Sequence, residues 1–110
     1  MSEIFIRIYA ECKTADEAIN LQNQIAATLK PYEPSFSDKP YQYWKIPEYF
    51  GFEITIPTAS DGIFQSIIAL ANENWTHGED QVNRSSVWNW HGNGHFILPQ
   101  ARWAEVQTID

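Results

Sequence analysis

Two histidines near the C-terminus, His91 and His95, are the residues of this chain whose type and spacing first suggest chemistry. A separation of four residues suits two zinc ligands on one helix face, and a pair of imidazoles could also serve a hydrolase or ribonuclease. Gly92 and Gly94 lie between them and argue against a helix, because glycine is costly in helix interiors. We therefore expect the two histidines to flank a turn.

A zinc site needs at least a third protein ligand, and no residue has a spacing that supplies it. The candidates are scattered along the chain: Cys12, His77, Glu79 and Asp80. The single cysteine excludes an internal disulfide framework, a cysteine-rich zinc site and a CxxC redox motif. The sequence also contains neither a GxSxG nucleophile elbow nor a Walker-type phosphate loop. We expect no metal, no cofactor and no catalytic residue.

Aromatic residues give a stronger signal than the histidines. The chain has five tryptophans and five tyrosines, more than a two-layer domain of 110 residues needs in its core. Surplus aromatic side chains are typical of protein-recognition surfaces, where they act as anchors with a polar handle. Trp88 and Trp90 are two residues apart and should share one strand face, directed either to the core or to a partner.

The charge of the chain also favours a protein-binding role. Its formal net charge is −7 and it has only seven lysines and arginines, which argues against a nucleic-acid-binding role. Carboxylates near aromatic anchors suit a basic protein partner, because complementary charge accelerates association. We expect the contacts to come from the long proline-rich loop and the loop after the second helix: Tyr43, Trp44, Glu48, Glu73, Trp75, Glu79 and Asp80.

The sequence contains no sign of membrane targeting. No apolar run approaches the length of a membrane span, and the first residues lack the basic start and apolar stretch of a signal peptide. We expect a cytoplasmic protein whose partner is neither a membrane nor a nucleic acid.

The elements that must position these residues can be predicted from periodicity. Residues 3–11 alternate as a strand, and Thr14 with Glu17 forms a capping box that opens a helix ending before Pro31. Residues 31–49 predict an irregular loop with a short edge strand over 41–45, because prolines interrupt the pattern. Another strand covers "YFGFEITIPT", and the second helix begins after residues 58–62 and ends near Trp75.

The remaining C-terminal segment predicts two or three strands with a tight connection at Gly92 and Gly94. The order of elements predicts one α+β domain over residues 1–110. We expect a two-layer, ferredoxin-like sandwich with an antiparallel or mixed sheet of 4–5 strands and both helices on one face. One face of such a sheet is left uncovered.

The ending "SVWNWHGNGHFILPQARWAEVQ" and the acidic, cysteine-poor, aromatic-rich character of this chain resemble small bacterial immunity proteins. These are the cognate inhibitors of contact-dependent-inhibition and other polymorphic toxins. The resemblance implies stoichiometric neutralisation, in which the chain binds a toxin domain, such as a basic nuclease, without performing chemistry itself.

A second hypothesis comes from a different functional class. A small ferredoxin-like enzyme or ligand-binding dimer would use the uncovered sheet face as a pocket floor, formed here by Phe5, Arg7, Tyr9 and Glu53. His91 and His95 would then act in its chemistry. Replacing both histidines would abolish an enzyme's activity and leave an inhibitor's partner binding largely intact.

Overall fold

The computed structural model describes residues 3–37, 39–71, 74–79, 84–92 and 94–109. The first half contains β1 (Glu3–Glu11), α1 (Ala15–Leu29), a short 3-10 helix (Lys30–Tyr32), β2 (Ser35–Phe36), β3 (Tyr41–Gln42) and β4 (Tyr49–Ile56). The second half contains α2 (Asp61–Ile68), β5 (Trp75–Glu79), β6 (Arg84–Asn89) and β7 (Ala101–Ile109). Within the described residues, no helix combines the length and apolarity needed to cross a membrane.

The predicted first strand and first helix are confirmed. Side chains of β1 alternate between buried and half-buried, as period-two patterning requires. The Oγ1 of Thr14 accepts a hydrogen bond from the N–H of Glu17 at 3.1 Å and caps α1. The Glu17 carboxylate reaches back to the N–H of Lys13 at 3.3 Å, one residue before the position that a standard capping box uses.

The prediction of a ferredoxin-like sandwich with 4–5 strands is wrong. The seven strands form one open sheet in the order β2-β4-β1-β7-β6-β5, with β3 also paired to β4, and every pair is antiparallel. Two of the strands, β2 and β3, come from the segment predicted mainly as loop; β3 falls within the edge strand predicted over 41–45, whereas β2 was not predicted. They are only two residues long each, so their pairing with β4 defines them rather than any local pattern.

An additional strand replaces the predicted end of the second helix. The helix was expected to reach Trp75, but α2 ends at Ile68 and Trp75 begins β5. The Trp75 indole N–H donates to the carbonyl oxygens of Ile68 and Ala71, at 3.1 and 3.0 Å. Asn74, just before the strand, has a left-handed backbone with φ of 75°. The indole therefore satisfies carbonyl groups that a longer helix would have used internally.

The C-terminal glycine-rich stretch is also different from its prediction. β6 and β7 pair directly, but residues 90–100 connect them as a long loop and not as a tight turn. Gly92 and Gly94 have φ of 91° and 76°, conformations that favour glycine. Phe96 and Leu98 form an isolated bridge and are fully buried. The loop thus folds over the sheet and adds two apolar side chains to the core.

One hydrophobic core lies between the sheet and its covering layer. The aliphatic face of β1 packs in one cluster with the buried residues of α1 and α2 and with Trp88. Trp88 is 1% exposed and faces this core, whereas Trp90 lies beyond the end of β6 and is 38% exposed. The expectation that these two tryptophans share a strand face is therefore wrong. The opposite face of the sheet carries no helix of the described chain.

Candidate functional site

The uncovered face of the sheet, called here the open face, carries the odd-numbered side chains of β1 because strand side chains alternate. One row across this face runs from Glu53 on β4 through Arg7 to Glu105 on β7. The next row places Tyr9 opposite Trp103. Charged and aromatic rows therefore lie side by side at the centre of the sheet.

Five aromatic side chains form a contiguous group on the open face, the aromatic cluster: Tyr9, Tyr41, Tyr43, Trp44 and Trp103. Tyr9 is at its centre and stacks on Tyr43 with ring centroids 4.4 Å apart. It also contacts Trp103 at 5.3 Å and meets Tyr41 edge-on at 6.5 Å. Trp44 extends the group through an edge contact with Tyr43 at 6.4 Å. Such geometries stabilise aromatic pairs beyond simple burial.

A cavity of about 560 Å³, the aromatic cleft, opens beside this cluster. Its size lies within the range of small-molecule and side-chain pockets, roughly 300–1,000 Å³. The lining combines aromatic rings, one isoleucine, two guanidinium groups and one amide: Arg7, Tyr9, Tyr43, Ile46, Tyr49, Asn89, Arg102 and Trp103. The cleft therefore offers apolar walls together with hydrogen-bond donors.

A β-bulge in β7 shapes one side of the cleft. Tyr9 pairs with Trp103 and the next residue, Ala10, pairs with Ala101, so Arg102 is the extra residue. The Arg102 guanidinium donates to the carbonyl oxygens of Pro99 and Ala101, both at 3.0 Å, which fixes its position. Because of the bulge, Arg102 and Trp103 both line the cleft although they are adjacent in sequence.

The guanidinium of Arg102 also connects the cleft to its surroundings. It lies 4.1 Å from the centroid of the exposed Trp90 ring, a cation–π contact. Its Nε is 3.9 Å from a carboxylate oxygen of Glu11 at the end of β1. A second depression is lined by Glu11, Cys12, Lys13, Pro47 and Glu48. This side of the rim therefore carries two carboxylates and one lysine, which leaves it net negative.

Backbone hydrogen bonds hold the opposite wall, residues 43–48, in place. The N–H of Tyr43 donates to the carbonyl of Tyr49 at 2.8 Å, and the N–H of Tyr49 donates to that of Ile46 at 2.9 Å. The N–H of Cys12 donates to the carbonyl of Glu48 at 3.0 Å. Trp44 is nevertheless 80% exposed. The loop presents a large apolar side chain to solvent from a fixed backbone.

Tyr41 closes the cluster at the sheet edge. Its hydroxyl donates to a carboxylate oxygen of Glu53 at 2.8 Å. The tip of its ring covers Gly51, where an added Cβ would lie 2.5 Å from the Tyr41 Cζ. Burial raises the pKa of the Tyr41 hydroxyl, and the neighbouring Tyr9 hydroxyl and Glu53 carboxylate raise it further. The phenol is therefore held in its neutral, donating form.

The residues predicted as contacts do not all come together. Tyr43, Trp44 and Glu48 lie on the 43–48 loop beside the cleft. Trp75 is on β5, the edge strand three strands away from β1, with its indole N–H bonded to α2. Glu79 ends the same strand, and two more predicted contacts, Glu73 and Asp80, lie outside the described residues. The contact set remains a prediction.

Sequence reasoning missed five residues of the cleft: Ile46, Tyr49, Asn89, Arg102 and Trp103. Alternation along "ARWAEVQ" could have assigned Trp103 to the open face together with Glu105. The bulge breaks this alternation at Arg102, so the sequence pattern alone assigns the arginine to the wrong face. Of the pocket floor suggested for a ligand-binding protein, Arg7 and Tyr9 do line the cleft.

The histidines lie away from the cleft. His91 and His95 are exposed in the loop between β6 and β7 and do not line the cleft. His77 Nδ1 is 2.6 Å from the Oγ of Ser86, a contact that satisfies a buried hydroxyl. Within the described ranges, no three His, Cys, Asp or Glu side chains are grouped to hold a metal ion. Burial raises the pKa of the Cys12 thiol.

No protein-family model matches the chain, and no curated protein or solved structure matches it. The resemblance to immunity proteins therefore rests on the sequence features alone.

Proposed function

We propose that this protein is a cytoplasmic immunity protein that binds and neutralises a cognate bacterial toxin through the open face of its sheet. The observation that carries the proposal is the exposed aromatic surface around the cleft. A fold with helices on one side of its sheet leaves the other side free, and here that side presents stacked aromatic rings rather than a uniformly polar surface.

Exposed apolar side chains concentrate at this site. Six large hydrophobic residues are exposed in the described chain, and four of them border the cleft: Tyr41, Trp44, Ile46 and Trp90. Scattered exposed hydrophobics are ordinary on protein surfaces, but a contiguous group marks an interaction site. Tryptophan and tyrosine are also the side chains most enriched among residues that dominate binding energy.

The charge of the chain supports a basic partner. The net charge of −7 creates a long-range field that attracts a cationic protein domain and raises its association rate. Glu11 and Glu48 place carboxylates at the rim beside the aromatic residues. Nuclease domains are often basic, because they bind phosphate backbones with lysine and arginine. A toxin of this type fits both the charge and the aromatic anchors.

Co-expression with the product of the adjacent gene, which this proposal expects to be the toxin, tests the proposal. Wild-type protein should rescue growth and form a one-to-one complex with the toxin domain. Trp44→Ala should weaken the complex by about 30-fold or more, because truncating a tryptophan that dominates binding costs about 2 kcal/mol or more. Ile19→Ala is the matched control, since Ile19 is also exposed but lies on α1.

Two results would refute the proposal. One is a neighbouring gene product that is not toxic or that this protein does not neutralise. The other is a complex that Trp44→Ala and Ile19→Ala weaken equally, which would place the contact elsewhere.

A second candidate function, binding of a small ligand, is favoured by the size and lining of the aromatic cleft. The enzyme form of this hypothesis assigned the chemistry to His91 and His95. Replacing both histidines with alanine should leave ligand binding in the cleft intact, because neither lines it. Loss of ligand binding in that double variant would contradict this assignment.

A further inference from the structure

Arg7 occupies an unusual position for a charged residue. It lies on β1, between β4 and β7 at the centre of the sheet, and its side chain is 35% exposed. It lines the aromatic cleft, so its guanidinium is accessible from the open face. A half-buried arginine in the middle of a sheet requires partners for its five N–H donors.

Those donors are largely unused within the protein. Among the described residues, the one polar contact of Arg7 joins its Nε to the Oε2 of Glu53 at 3.4 Å, and Nε makes no hydrogen bond. The same Oε2 already accepts the Tyr41 hydroxyl at 2.8 Å. Glu105 is opposite Arg7 in the register, but no ion pair joins these two residues in the described structure. The Phe5 ring, 5.3 Å away, provides only a cation–π contact.

The chemistry of the cleft lining indicates what those donors could bind. Two of the seven cationic residues of this acidic chain, Arg7 and Arg102, line the cleft, and none of the lining residues that the structure describes is a carboxylate. Arg102 is committed to two backbone carbonyls, whereas Arg7 is not. The amide of Asn89 adds a neutral donor and acceptor on the far wall. Tyr9, Tyr43 and Trp103 supply flat apolar surfaces next to these groups.

We propose that the aromatic cleft is a subsite for a carboxylate that stands next to an aromatic ring on the partner protein. Arg7 binds the carboxylate through its terminal nitrogens, and the ring packs against the aromatic walls. A guanidinium matches a carboxylate with two parallel hydrogen bonds, which is the strongest neutral-pH pairing available to these residues. This inference rests on the proposed protein-binding function and names the anchor that the partner inserts.

The partner can be basic overall and still supply an acidic anchor. Long-range attraction depends on net charge, whereas the contact inside a desolvated cleft depends on the groups that line it. The acidic rim would then contact a basic part of the partner, and the cationic floor of the cleft would bind its acidic anchor.

A pair of small probes tests the subsite directly. N-acetyl-phenylalanine and N-acetyl-phenylalaninamide differ only in the carboxylate, and each can be titrated into the full chain while amide chemical shifts are followed by NMR. The acid should bind at least about tenfold more tightly than the amide, because a charge-assisted hydrogen bond is lost in the amide. The shifts should centre on Arg7, Tyr9 and Trp103.

Variants of Arg7 test whether this residue causes the tighter binding of the acid. Arg7→Gln should abolish the preference for the acid, and Arg84→Gln should keep it, because Arg84 lies near Asp61 and Phe64 on the helical side. If Arg7→Gln fails to fold, Arg7→Lys retains the charge but not the two-pronged geometry, and it should reduce the preference severalfold. Equal binding of acid and amide, or an acid preference unchanged in Arg7→Gln or Arg7→Lys, would overturn the subsite.

The outcome is separable from that of the toxin experiment. Rescue from the toxin without any preference for the acid would leave the proposed function standing and remove the carboxylate subsite. Micromolar binding of the isolated acid would identify a free small acid as the ligand and overturn the assignment to a protein partner. Millimolar binding that strengthens when the same acid ends a longer peptide would support that assignment.

Discussion

The close approach of Tyr41 to Gly51 yields a sharp test of how the open face is held together. In Gly51→Ala, the new Cβ would lie 2.5 Å from Cζ and 2.7 Å from the hydroxyl oxygen of Tyr41. Real Cβ atoms do not approach other atoms so closely, so one group must move. The contact is with the tip of a side chain, so we expect the Tyr41 ring to swing away while β4 keeps its backbone.

The cost of this movement follows from what Tyr41 loses. Its hydroxyl gives up a 2.8 Å hydrogen bond to the Glu53 carboxylate, worth about 1–2 kcal/mol at a partly exposed position. The edge contact with Tyr9 contributes about another 0.5–1 kcal/mol. We expect Gly51→Ala to lower the free energy of unfolding by about 2 kcal/mol, equivalent to a melting temperature about 8 °C lower for a domain of this size.

A double-mutant cycle isolates this effect. Tyr41→Ala alone should cost more than Gly51→Ala, because both remove the Tyr41 contacts but only Gly51→Ala restricts the unfolded chain. In the Tyr41→Ala background, Gly51→Ala should be neutral or stabilising by about 0.5–1 kcal/mol, since alanine restricts the unfolded chain more than glycine does. Urea denaturation followed by tryptophan fluorescence would give all four free energies. If Gly51→Ala is equally destabilising with and without the tyrosine ring, the overlap with Tyr41 is not the cause and the reasoning fails.

Three further predictions concern pH, thiol reactivity and the end of α2. Because the pKa of Tyr41 is raised on folding, the stability this provides is complete below the ordinary tyrosine value of about 10 and is lost as pH rises above it; Tyr41→Phe should flatten the stability curve in alkaline unfolding experiments. Cys12 is buried with a raised pKa, so a maleimide should modify it slowly at pH 7 and rapidly in urea; fast labelling of the folded chain would contradict this. Trp75→Phe removes the donor to the Ile68 and Ala71 carbonyls and should cost about 1–2 kcal/mol in chemical denaturation, whereas an unchanged midpoint would show that these bonds contribute nothing.

The local sequence pattern was sufficient to predict the long elements of the fold. β1 and α1 were predicted correctly because period-two alternation, an N-cap threonine and a regular apolar stripe all agree. β4 was predicted for the same reason. The prolines on either side of residues 41–45 predicted the short edge strand within which β3 lies. β2 was not predicted, since two residues carry no period and only its pairing with β4 defines it as a strand.

The errors in the second half have non-local causes. α2 ends early where the Trp75 indole binds its last carbonyls, a contact that the helical pattern does not encode. The apolar run around Phe96 resembles a strand, but Phe96 and Leu98 are buried by a loop that folds over the core, where Phe96 meets Trp75 at 5.3 Å.

The candidate site was predicted in part. Tyr43, Trp44 and Glu48 were predicted as partner contacts from composition; Tyr43 lines the cleft, and the other two lie on the loop beside it. Arg102 and Trp103 could not be assigned, since a bulge and a cross-strand register bring them to Tyr9. Chain topology, rather than residue type, assembles the cleft.

The edge of β4 that faces away from β1 pairs with two separate short strands, and this arrangement has a consequence for self-association. Exposed sheet edges can template pairing with other molecules, and natural proteins protect them with short strands and prolines. Here the edge is covered by β2 and β3, two strands of two residues each, with Pro34 before the first and Pro40 before the second. Proline lacks the N–H that a growing ladder needs. A second copy that approached this edge would find no long run of free donors and acceptors, so the edge resists aggregation while the aromatic face beside it remains open.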